Sequence, residues 1–330
     1  MADPSSSPQP PPRPLVGRLA PSPTGVLHLG NVRSFLLAWL SIRSRGGTLL
    51  LRIEDIDGPR IRPEWIDRTI EDLQWLGLDW DGEPLLQSSR REAHEAAARH
   101  LLEGGEAYPC ICTRREVEEA ASAPHEPLAG GGPLLASDGL LYPGTCRGLH
   151  PDLEAARRAS GREPALRFRV RDGAVPFTDL FLGEQPGLIA GDFVIRKRDG
   201  GAAYQLAVVV DDAAQGVTEV LRADDLLPST PRQLLLHQAL GLTPPAYAHV
   251  PLVVGVDGRR LAKRHGDTSV AHFRREGISA PRLIGWVAST CGLAPSDAEA
   301  SPSDLLRDFD LARLPRDPVV GENPPLRDSL

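Results

Sequence analysis

The sequence predicts an α/β protein with a parallel sheet, because apolar segments typical of strands alternate with segments that carry a helical apolar pattern. Residues 16–20 form a short apolar segment, and the run TLLLRIEDID at 48–57 starts as a buried strand and ends in charge. Helices are predicted at 31–43, 63–77 and 90–104, where apolar residues recur on one stripe. Strand, helix, strand, helix in this order is typical of parallel strands joined by crossover helices.

The second half of the chain is less regular than the first. A stretch rich in Cys, Gly and Pro covers 108–148, and alternating segments follow at 166–170, 193–197 and 204–210. A further helix is predicted at 230–240. The irregular stretch therefore separates two parts of an α/β pattern.

Composition and charge exclude several classes of protein. With 41% hydrophobic and 25% charged residues, the composition is that of a soluble globular protein. The net charge of −7 excludes blanket attraction to nucleic acid and leaves room for a local basic surface. No apolar run reaches the roughly 18 residues of a membrane span, so no membrane partner is expected. The Pro- and Ser-rich residues 1–14 lack the apolar core of a signal peptide, so we expect a disordered leader on a cytoplasmic protein.

A turn-rich segment, GRLAPSPTGVLHLGN at 17–31, stands between the first predicted strand and the first predicted helix. Ligands of open α/β sheets bind beyond the carboxyl ends of the strands, and phosphates favour helix N-termini. Gly25 and Gly30 let a ligand approach the backbone closely, and His28 can donate a hydrogen bond to a phosphate oxygen. A histidine at such a position is also commonly a helix cap or a packed ring. The segment alone is therefore only a candidate anion site.

A second segment, RRLAKRHGD at 259–267, is strongly basic and follows a predicted strand. Taken alone, it is typical of a solvated basic loop. The segment indicates a binding site only together with the His28-x-Gly30 turn, because a flexible cationic loop and a helix N-terminus together suit a nucleotide.

The two segments together resemble the nucleotide motifs of class I aminoacyl-tRNA synthetases of the glutamyl type. The motif of general form His-Ile-Gly-His corresponds to HLGN at 28–31, and the motif Lys-Met-Ser-Lys-Ser corresponds to RLAKR at 260–264. LRIEDID at 51–57 and PSTPRQLLLHQALG at 228–241 match as well. The chain departs from the general motifs at Asn31, which is common in glutamyl-type enzymes, and at Arg260 and Ala262, whereas Lys263 is intact. Arginine keeps the charge of lysine without its compact geometry.

The resemblance extends from about residue 15 to about residue 320 and implies the architecture of the family. We expect a Rossmann-like catalytic domain with a zinc-binding insertion and a helical C-terminal subdomain, without an anticodon-binding domain because only a short stretch follows Lys263. The expected segments are a leader (1–14), the first catalytic half (15–107), the insertion (108–190), the second catalytic half (191–250), the motif loop with the helical subdomain (251–320), and a tail (321–330).

An amino-acid pocket for glutamate needs arginines for two carboxylates and a carboxylate for the ammonium. Arg18 and Arg222 are the candidate cations, Glu54 is the candidate ammonium partner, and Tyr204 offers a hydroxyl and a ring. The resemblance implies a full set of glutamate-binding positions: Arg18, Ala20, Ser22, Glu54, Tyr204 and Arg222. It also implies ATP contacts at His28, Gly30, Asn31 and Lys263, with His28 and Lys263 as catalytic residues. The alternative is that Arg18, Glu54 and Arg222 form structural ion pairs; Asp55 and Asp57 are interpreted as network or helix-start residues.

Three of the four cysteines lie close together in the chain, as Cys110, Cys112 and Cys146. In an intracellular α/β enzyme such a cluster favours tetrahedral zinc, with Tyr142, His125 or His150 as the fourth ligand. Composition alone favours a histidine, whereas the resemblance implies Tyr142, and the site would be structural. Plain buried thiols are the alternative. The fourth cysteine, Cys291, is expected to be a core residue.

The resemblance implies ATP, with Mg²⁺, and L-glutamate as substrates, and its short form points to members that transfer glutamate to the queuosine base of tRNA(Asp). The anticodon arm of that tRNA would then enter the catalytic cleft. Two alternatives remain, a short enzyme that charges tRNA(Glu) and a non-catalytic module that binds ATP or tRNA. Arg33, Arg43 and Arg45 are either RNA contacts or solvated helix arginines.

Overall fold

The computed structural model describes residues 13–56, 61–117, 142–254 and 268–320. Its central element is a parallel sheet of β1 (Val16–Leu19), β2 (Thr48–Ile53), β3 (Leu85–Leu86), β9 (Glu219–Ala223) and β10 (Ala246–Val250). Thr218, next to β9, donates its N–H to the Val16 carbonyl of β1 at 2.8 Å. The strand order is therefore β3-β2-β1-β9-β10, the order of a Rossmann-like sheet in which the strand sequence reverses at β1.

Helices connect and cover these strands. They are α1 (Leu29–Arg43), α2 (Pro63–Trp75), α3 (Arg91–Glu103), α4 (Leu153–Ser160), α5 (Tyr204–Ala214), α6 (Thr230–Ala239), α7 (Val270–Arg275) and α8 (Ala280–Ser289). Local chemistry explains several starts: Pro63 opens α2, and the hydroxyls of Ser269 and Ser279 accept N–H groups of the first turns of α7 and α8. Among the described helices, none combines the length and apolar character that crossing a bilayer requires.

The main hydrophobic core lies between α1 and the sheet. Leu36, Leu37 and Leu40 of α1 are fully buried against apolar residues of β1 and β2. Gly17 permits this contact, because a Cβ at that position would overlap the side chain of Ile42. The turn after α1 uses Gly46 at φ +66°, a conformation that favours glycine. These residues pack α1 closely against the parallel sheet.

A second, antiparallel sheet interrupts the parallel one. Its strands β4 (Ala107–Cys110), β5 (Ala165–Phe168) and β8 (Phe193–Arg196) pair in that order, and Phe168 stacks on Phe193 with ring centroids 5.3 Å apart. A hairpin of β6 (Phe177–Asp179) and β7 (Gly183–Gln185) follows β5. The hairpin contacts the parallel sheet, since the Leu180 N–H donates to the Tyr247 carbonyl of β10 at 2.8 Å. Short parallel strands β11 (Val253–Val254) and β12 (Val319–Val320) complete the described elements.

The predicted α/β class and the early strand–helix alternation are confirmed, with α1 beginning at Leu29 rather than at Asn31. The grouping of 204–210 with alternating segments is wrong, because these residues form the first turns of α5. The run of valines favours a strand by local propensity. In the fold, α5 is packed between α3 and α6. Because the helix is buried on opposite sides, its apolar residues form a continuous run instead of a single stripe.

Candidate active site and cysteine cluster

The residues predicted for amino-acid binding meet at the carboxyl ends of the parallel strands. Arg18 lies in β1, Glu54 follows β2, and Arg222 lies near the end of β9. They line a cleft of about 830 Å³. Other predicted residues line the same cleft, namely Ala20, Ser22, His28, Asn31 and Tyr204. Segments remote in sequence thus converge on one ligand-sized space.

His28 precedes α1 with extended backbone, at φ −112° and ψ 159°, and its N–H donates to Oδ1 of Asn31 at 3.2 Å. The cap interpretation and the anion-site interpretation therefore apply to the same turn. Gly30 is not among the residues that line the cleft, but a Cβ there, as at Gly25, would contact nothing within 4 Å. The space above this backbone is open to a ligand.

The start of α1 is bonded to the segment before α7. Leu29 donates its N–H to the Thr268 carbonyl at 3.1 Å, and Val270 donates to the Leu27 carbonyl at 2.9 Å. The predicted nucleotide contact Lys263, with the rest of 260–264, lies outside the described residues. Asp57 and His125 also lie outside them.

A buried ion-pair network supports the cleft. Arg52, which is fully buried, donates from Nη2 to Oε1 of Glu54 at 3.1 Å and from Nη1 to Oδ1 of Asp212 at 2.6 Å. Arg18 lies against the same carboxylate, with Nε 3.4 Å from Oδ1 of Asp212. Arg18 and Glu54 thus do form structural ion pairs, which was the alternative to a role in binding, and both also face the cleft.

Burial and the arginine charges act against each other on the pKa values of the two carboxyls, and the net shifts are opposite. Burial raises the pKa of Glu54, and the charges of Arg52 and Arg18 offset that rise only in part. Burial also acts to raise the pKa of Asp212, but the same two guanidinium groups outweigh it and hold that pKa below its ordinary value. The Arg, Asp and Glu side chains that line the cleft are Arg18 and Arg222 against Glu54 and Asp225, and the Arg52–Asp212 pair lies beneath them.

Arg222 reaches the cleft from β9 and is held on its other side. Nε donates to Nε2 of His249 at 3.0 Å and Nη2 donates to Oγ1 of Thr230 at 2.9 Å. Nη1 lies 3.5 Å from the hydroxyl of Tyr204. Burial raises the pKa of Tyr204, so its phenol is neutral at physiological pH. Arg222 is thus a cation without a carboxylate partner among the described residues, and its remaining N–H groups are available to one.

Sequence reasoning missed Arg52, Asp212, Asp179 and His249 as members of the site. A signal existed for two of them, because Arg52 interrupts an apolar strand and Asp212 follows an apolar run. Buried charges require partners, but the sequence does not say which ones. Asp55, interpreted as a network residue, accepts hydrogen bonds from the N–H and hydroxyl of Ser88.

The three arginines considered as RNA contacts are engaged with the protein. Arg43 pairs with Asp79 and Asp81, and Arg45 pairs with Glu219. Arg33 is buried and donates to the Pro251 carbonyl. Neither the RNA-contact interpretation nor the solvated one fits Arg33, because its guanidinium lies inside the fold.

The predicted cysteine cluster is assembled in the antiparallel region. The sulfur atoms of Cys110, Cys112 and Cys146 all lie within 4.8 Å of one another. The hydroxyl of Tyr142 lies 3.5 Å from Sγ of Cys110 and 3.6 Å from Sγ of Cys112. His150 is not part of the group. Of these two candidates, the tyrosine hydroxyl rather than that histidine therefore lies beside the sulfur atoms.

The donor set fits a tetrahedral metal ion that prefers thiolates. Arg167 adds positive charge, with Nε 3.3 Å from Sγ of Cys110 and Cζ 3.7 Å from the centre of the Tyr142 ring. The Cys146 N–H donates to the Tyr142 hydroxyl at 2.8 Å and fixes its position. Cys291 lies apart and is buried at the end of α8, as expected of a core residue.

The fold and the cleft define a member of the class I synthetases. The family model for the catalytic domain of class I tRNA synthetases (E and Q) matches residues 14–298, and the chain belongs to that family. A protein from Symbiobacterium thermophilum named glutamyl-Q tRNA(Asp) synthetase is 49% identical over 315 residues, which cover 92% of this chain and 95% of that protein. A protein of the same name from Nocardia farcinica is 50% identical over 304 residues, 92% of each chain.

Among solved structures, the chain is similar to the glutamate-tRNA synthetase of Elizabethkingia anophelis. The TM-score is 0.77 at 27% identity, and the match covers 94% of this chain and 68% of that one. The likeness extends over nearly the whole sequence described above, including the antiparallel insertion.

Proposed function

We propose that this protein activates L-glutamate with ATP and transfers it to the queuosine base of tRNA(Asp). The observation that carries the proposal is the identity of 49–50% to proteins named for this activity, with at least 92% of each chain covered. The cleft supports it, since Arg18 and Arg222 converge there with the carboxylate Glu54, which suits the two carboxylates and the ammonium of a dicarboxylic amino acid.

Glutamate recognition is assigned to the residues around the buried network. Arg222, with Tyr204 beside it, takes one carboxylate, and Arg18 takes the other. Glu54 takes the ammonium group, and Ala20 with Ser22 forms the wall after β1. Because Glu54 and Arg18 are held by Arg52 and Asp212, the pocket is organised before glutamate binds.

Activation joins this pocket to the N-terminus of α1. The α-carboxylate oxygen of glutamate attacks the α-phosphorus of ATP, a new P–O bond forms, and pyrophosphate leaves. His28 and Lys263 stabilise the charge that moves onto the phosphates, and Gly30 with Asn31 forms the turn beneath the nucleotide. The bonds between residues 27–29 and 268–270 support a role for Lys263, because they bring the chain just after RLAKR to His28.

In the second step, the glutamyl group passes to queuosine and AMP leaves. The modified base lies in the anticodon loop, so the anticodon arm must approach the cleft at the carboxyl ends of the parallel strands. Trp65 and Phe35 line the cleft and offer apolar surface for a base or nucleoside.

Zinc is the metal that the cysteine cluster fits, with Cys110, Cys112, Tyr142 and Cys146 as ligands. When bound, it would supply a structural cross-link between β4 and the segment before α4. No step of the reaction involves it.

The proposal is tested in two stages with the purified, zinc-loaded chain. The first measures glutamate-dependent exchange of pyrophosphate into ATP, with aspartate and glutamine as controls. Exchange only with glutamate is expected, and no exchange in folded protein would contradict activation and favour a non-catalytic binding role.

The second stage compares acceptors. Queuosine-containing tRNA(Asp), queuosine-free tRNA(Asp) and tRNA(Glu) are incubated with labelled glutamate and ATP. We expect label only on the modified tRNA(Asp). Label on tRNA(Glu) alone would replace the proposal with ordinary glutamyl-tRNA synthesis, the activity named for the solved structure.

A further inference from the structure

The guanidinium of Arg222 is hydrogen-bonded to a chain of buried groups that extends to the β6–β7 hairpin. His249, on β10, contacts Arg222 through Nε2 at 3.0 Å and Asp179 through Nδ1 at 2.6 Å. Thr230, at the start of α6, lies within hydrogen-bond distance of both Arg222 and His249. Asp179, Thr230 and His249 are each at most 2% exposed. These three side chains are therefore shielded from bulk solvent.

The hydrogen-bond donors around His249 determine which ring nitrogen carries the proton. Arg222 has only donors, so its Nε–H requires a lone pair on Nε2 of His249. Thr230 accepts from Arg222 and can donate its own hydroxyl to the same nitrogen. The proton must then be on Nδ1, where it is donated to Oδ2 of Asp179. Burial lowers the pKa of His249, in agreement with a neutral ring.

Asp179 is itself fixed by the backbone. Its Oδ1 accepts the N–H groups of Phe181 and Leu182 at 2.9 Å and that of His249 at 3.2 Å. Its other oxygen is left for His249. The carboxylate therefore has one orientation, and it belongs to the hairpin of the insertion rather than to the strands that line the cleft.

We propose that Asp179 and His249 are positioning residues for substrate carboxylate binding: Asp179 sets the His249 tautomer, and that tautomer aims Arg222 into the cleft. The assignment of the bound carboxylate to glutamate rests on the proposed function. The ring holds Nε of Arg222, Thr230 holds one Nη2 proton, and Nη1 is left beside Tyr204. The insertion thereby contributes to amino-acid affinity without touching the amino acid.

The substitution Asp179→Asn tests this tautomer. An asparagine that keeps its oxygen on the three backbone N–H groups presents its NH₂ group to Nδ1 of His249. The ring proton must then move to Nε2, where it faces the Nε–H of Arg222, and two donors oppose each other. Loss of a buried charge-assisted bond predicts an increase in the KM for glutamate of roughly 10- to 100-fold. The KM for ATP is expected to change little.

Two substitutions of His249 test its bond to Arg222 and its bond to Asp179 separately. In His249→Gln the side-chain amide reaches the Nε2 position and retains an acceptor for Arg222, whereas in His249→Asn it reaches only the Nδ1 position. We expect a smaller rise in the glutamate KM for the glutamine variant. Asp179→Asn added to His249→Gln is expected to have little further effect, because no tautomer remains to be changed.

Nitrogen-15 NMR of histidine-labelled protein reads the tautomer without any activity. The His249 signal, identified by its loss in His249→Gln, should show a protonated Nδ1 in the wild type and a protonated Nε2 in Asp179→Asn. The control is Asp72→Asn, which alters another fully buried carboxylate, bonded to Arg274 in a different part of the fold. It should lower the melting temperature and leave the glutamate KM unchanged.

The outcomes are distinguishable from failure of the proposed function. A wild type with a protonated Nε2 overturns the inference whether or not the protein is active. A flipped tautomer with an unchanged glutamate KM also overturns it, as does an equal rise in the KM for ATP. If the wild type shows no exchange with glutamate, the proposed function fails, and the NMR result still decides the tautomer.

Discussion

Arg52 and Asp212 are separated by 160 residues and form a 2.6 Å hydrogen bond between two buried charges beneath the cleft. Each is bonded to a second residue that faces the cleft, Arg52 to Glu54 and Asp212 to Arg18. Because neither charge can be solvated, the pair holds both cleft residues in place. The pocket therefore depends on two residues that do not line it.

The substitution Asp212→Asn is expected to lower the free energy of unfolding by about 3 kcal/mol, because it leaves Arg52 buried without its closest counter-charge. It should also raise the KM for glutamate. Urea unfolding and pyrophosphate exchange measure the two effects. The matched control is Glu163→Gln, which removes one partner of an exposed ion pair with Arg157 and should change neither quantity. Equal stability of the two variants would contradict the role given to Asp212.

The substitutions His28→Ala and Lys263→Ala are each expected to lower the maximal rate of exchange by about 100-fold or more, because each removes a group that stabilises charge on the phosphates. Circular dichroism should show an unchanged fold. Arg259→Ala serves as the control for loss of one positive charge in the same segment. Unaltered exchange rates in both variants would exclude the assigned roles.

Activity with limiting glutamate should fall on the acid side, because the ammonium of glutamate requires an ionised Glu54. Burial raises the pKa of Glu54, so this carboxyl is protonated at a higher pH than an exposed one would be as acidity increases. The measurement is kcat/KM for glutamate as a function of pH. In Glu54→Gln the value should be low, and the acid limb due to this group should be absent. An identical limb in the variant would assign the titration elsewhere.

Zinc binding should depend on the cysteine cluster and not on thiols in general. Elemental analysis is expected to find one zinc per chain in the wild type and in Cys291→Ser, and clearly less in Cys146→Ser. The physical reason is that removing one thiolate breaks a tetrahedral set, whereas Cys291 is buried elsewhere. Removal of zinc with a chelator should lower the melting temperature of the wild type. Equal zinc in both serine variants would remove Cys146 from the site.

His237 should make the fold sensitive to acid. It is 1% exposed, and burial lowers its pKa to about 4. The unfolded chain, with an ordinary pKa near 6.5, binds a proton in a range where the folded protein does not. Stability is therefore lost as pH falls from about 6.5 towards 4, by about 1.4 kcal/mol per pH unit.

Urea unfolding at several pH values checks this effect. His237→Leu should lose less stability than the wild type over that range, and His100→Gln, which alters an exposed histidine of α3, should follow the wild type. Parallel curves for the wild type and His237→Leu would contradict the prediction.

Much of the fold was predictable because its signals are local. The apolar strands, the stripe on α2 and the turn before α1 are encoded within a few residues of each other, and the structure places them as predicted. The segment 204–210 failed for the same reason. Three consecutive valines favour a strand locally, and only packing between α3 and α6 makes them helical.

The residues of the candidate site also fall into those with a local sequence signal and those without one. His28, Glu54 and the cysteines could be selected from the sequence, because their residue types and motif positions indicate their chemistry. Asp179 and His249 could not, because a lone aspartate before a hairpin and a lone histidine in a strand carry no local signal. Their role depends on a 2.6 Å contact between residues that are 70 positions apart in the sequence.

By itself, the sequence determined the α/β class, the turn before α1 and the cysteine set, since each depends on residue identity and short spacing. Only the tertiary structure decided which buried polar groups bond one another: Arg52 with Asp212, Asp179 with His249, and His249 with Arg222. The physical reason is that a buried charge requires a partner within about 3 Å, and the fold alone brings distant residues to that distance.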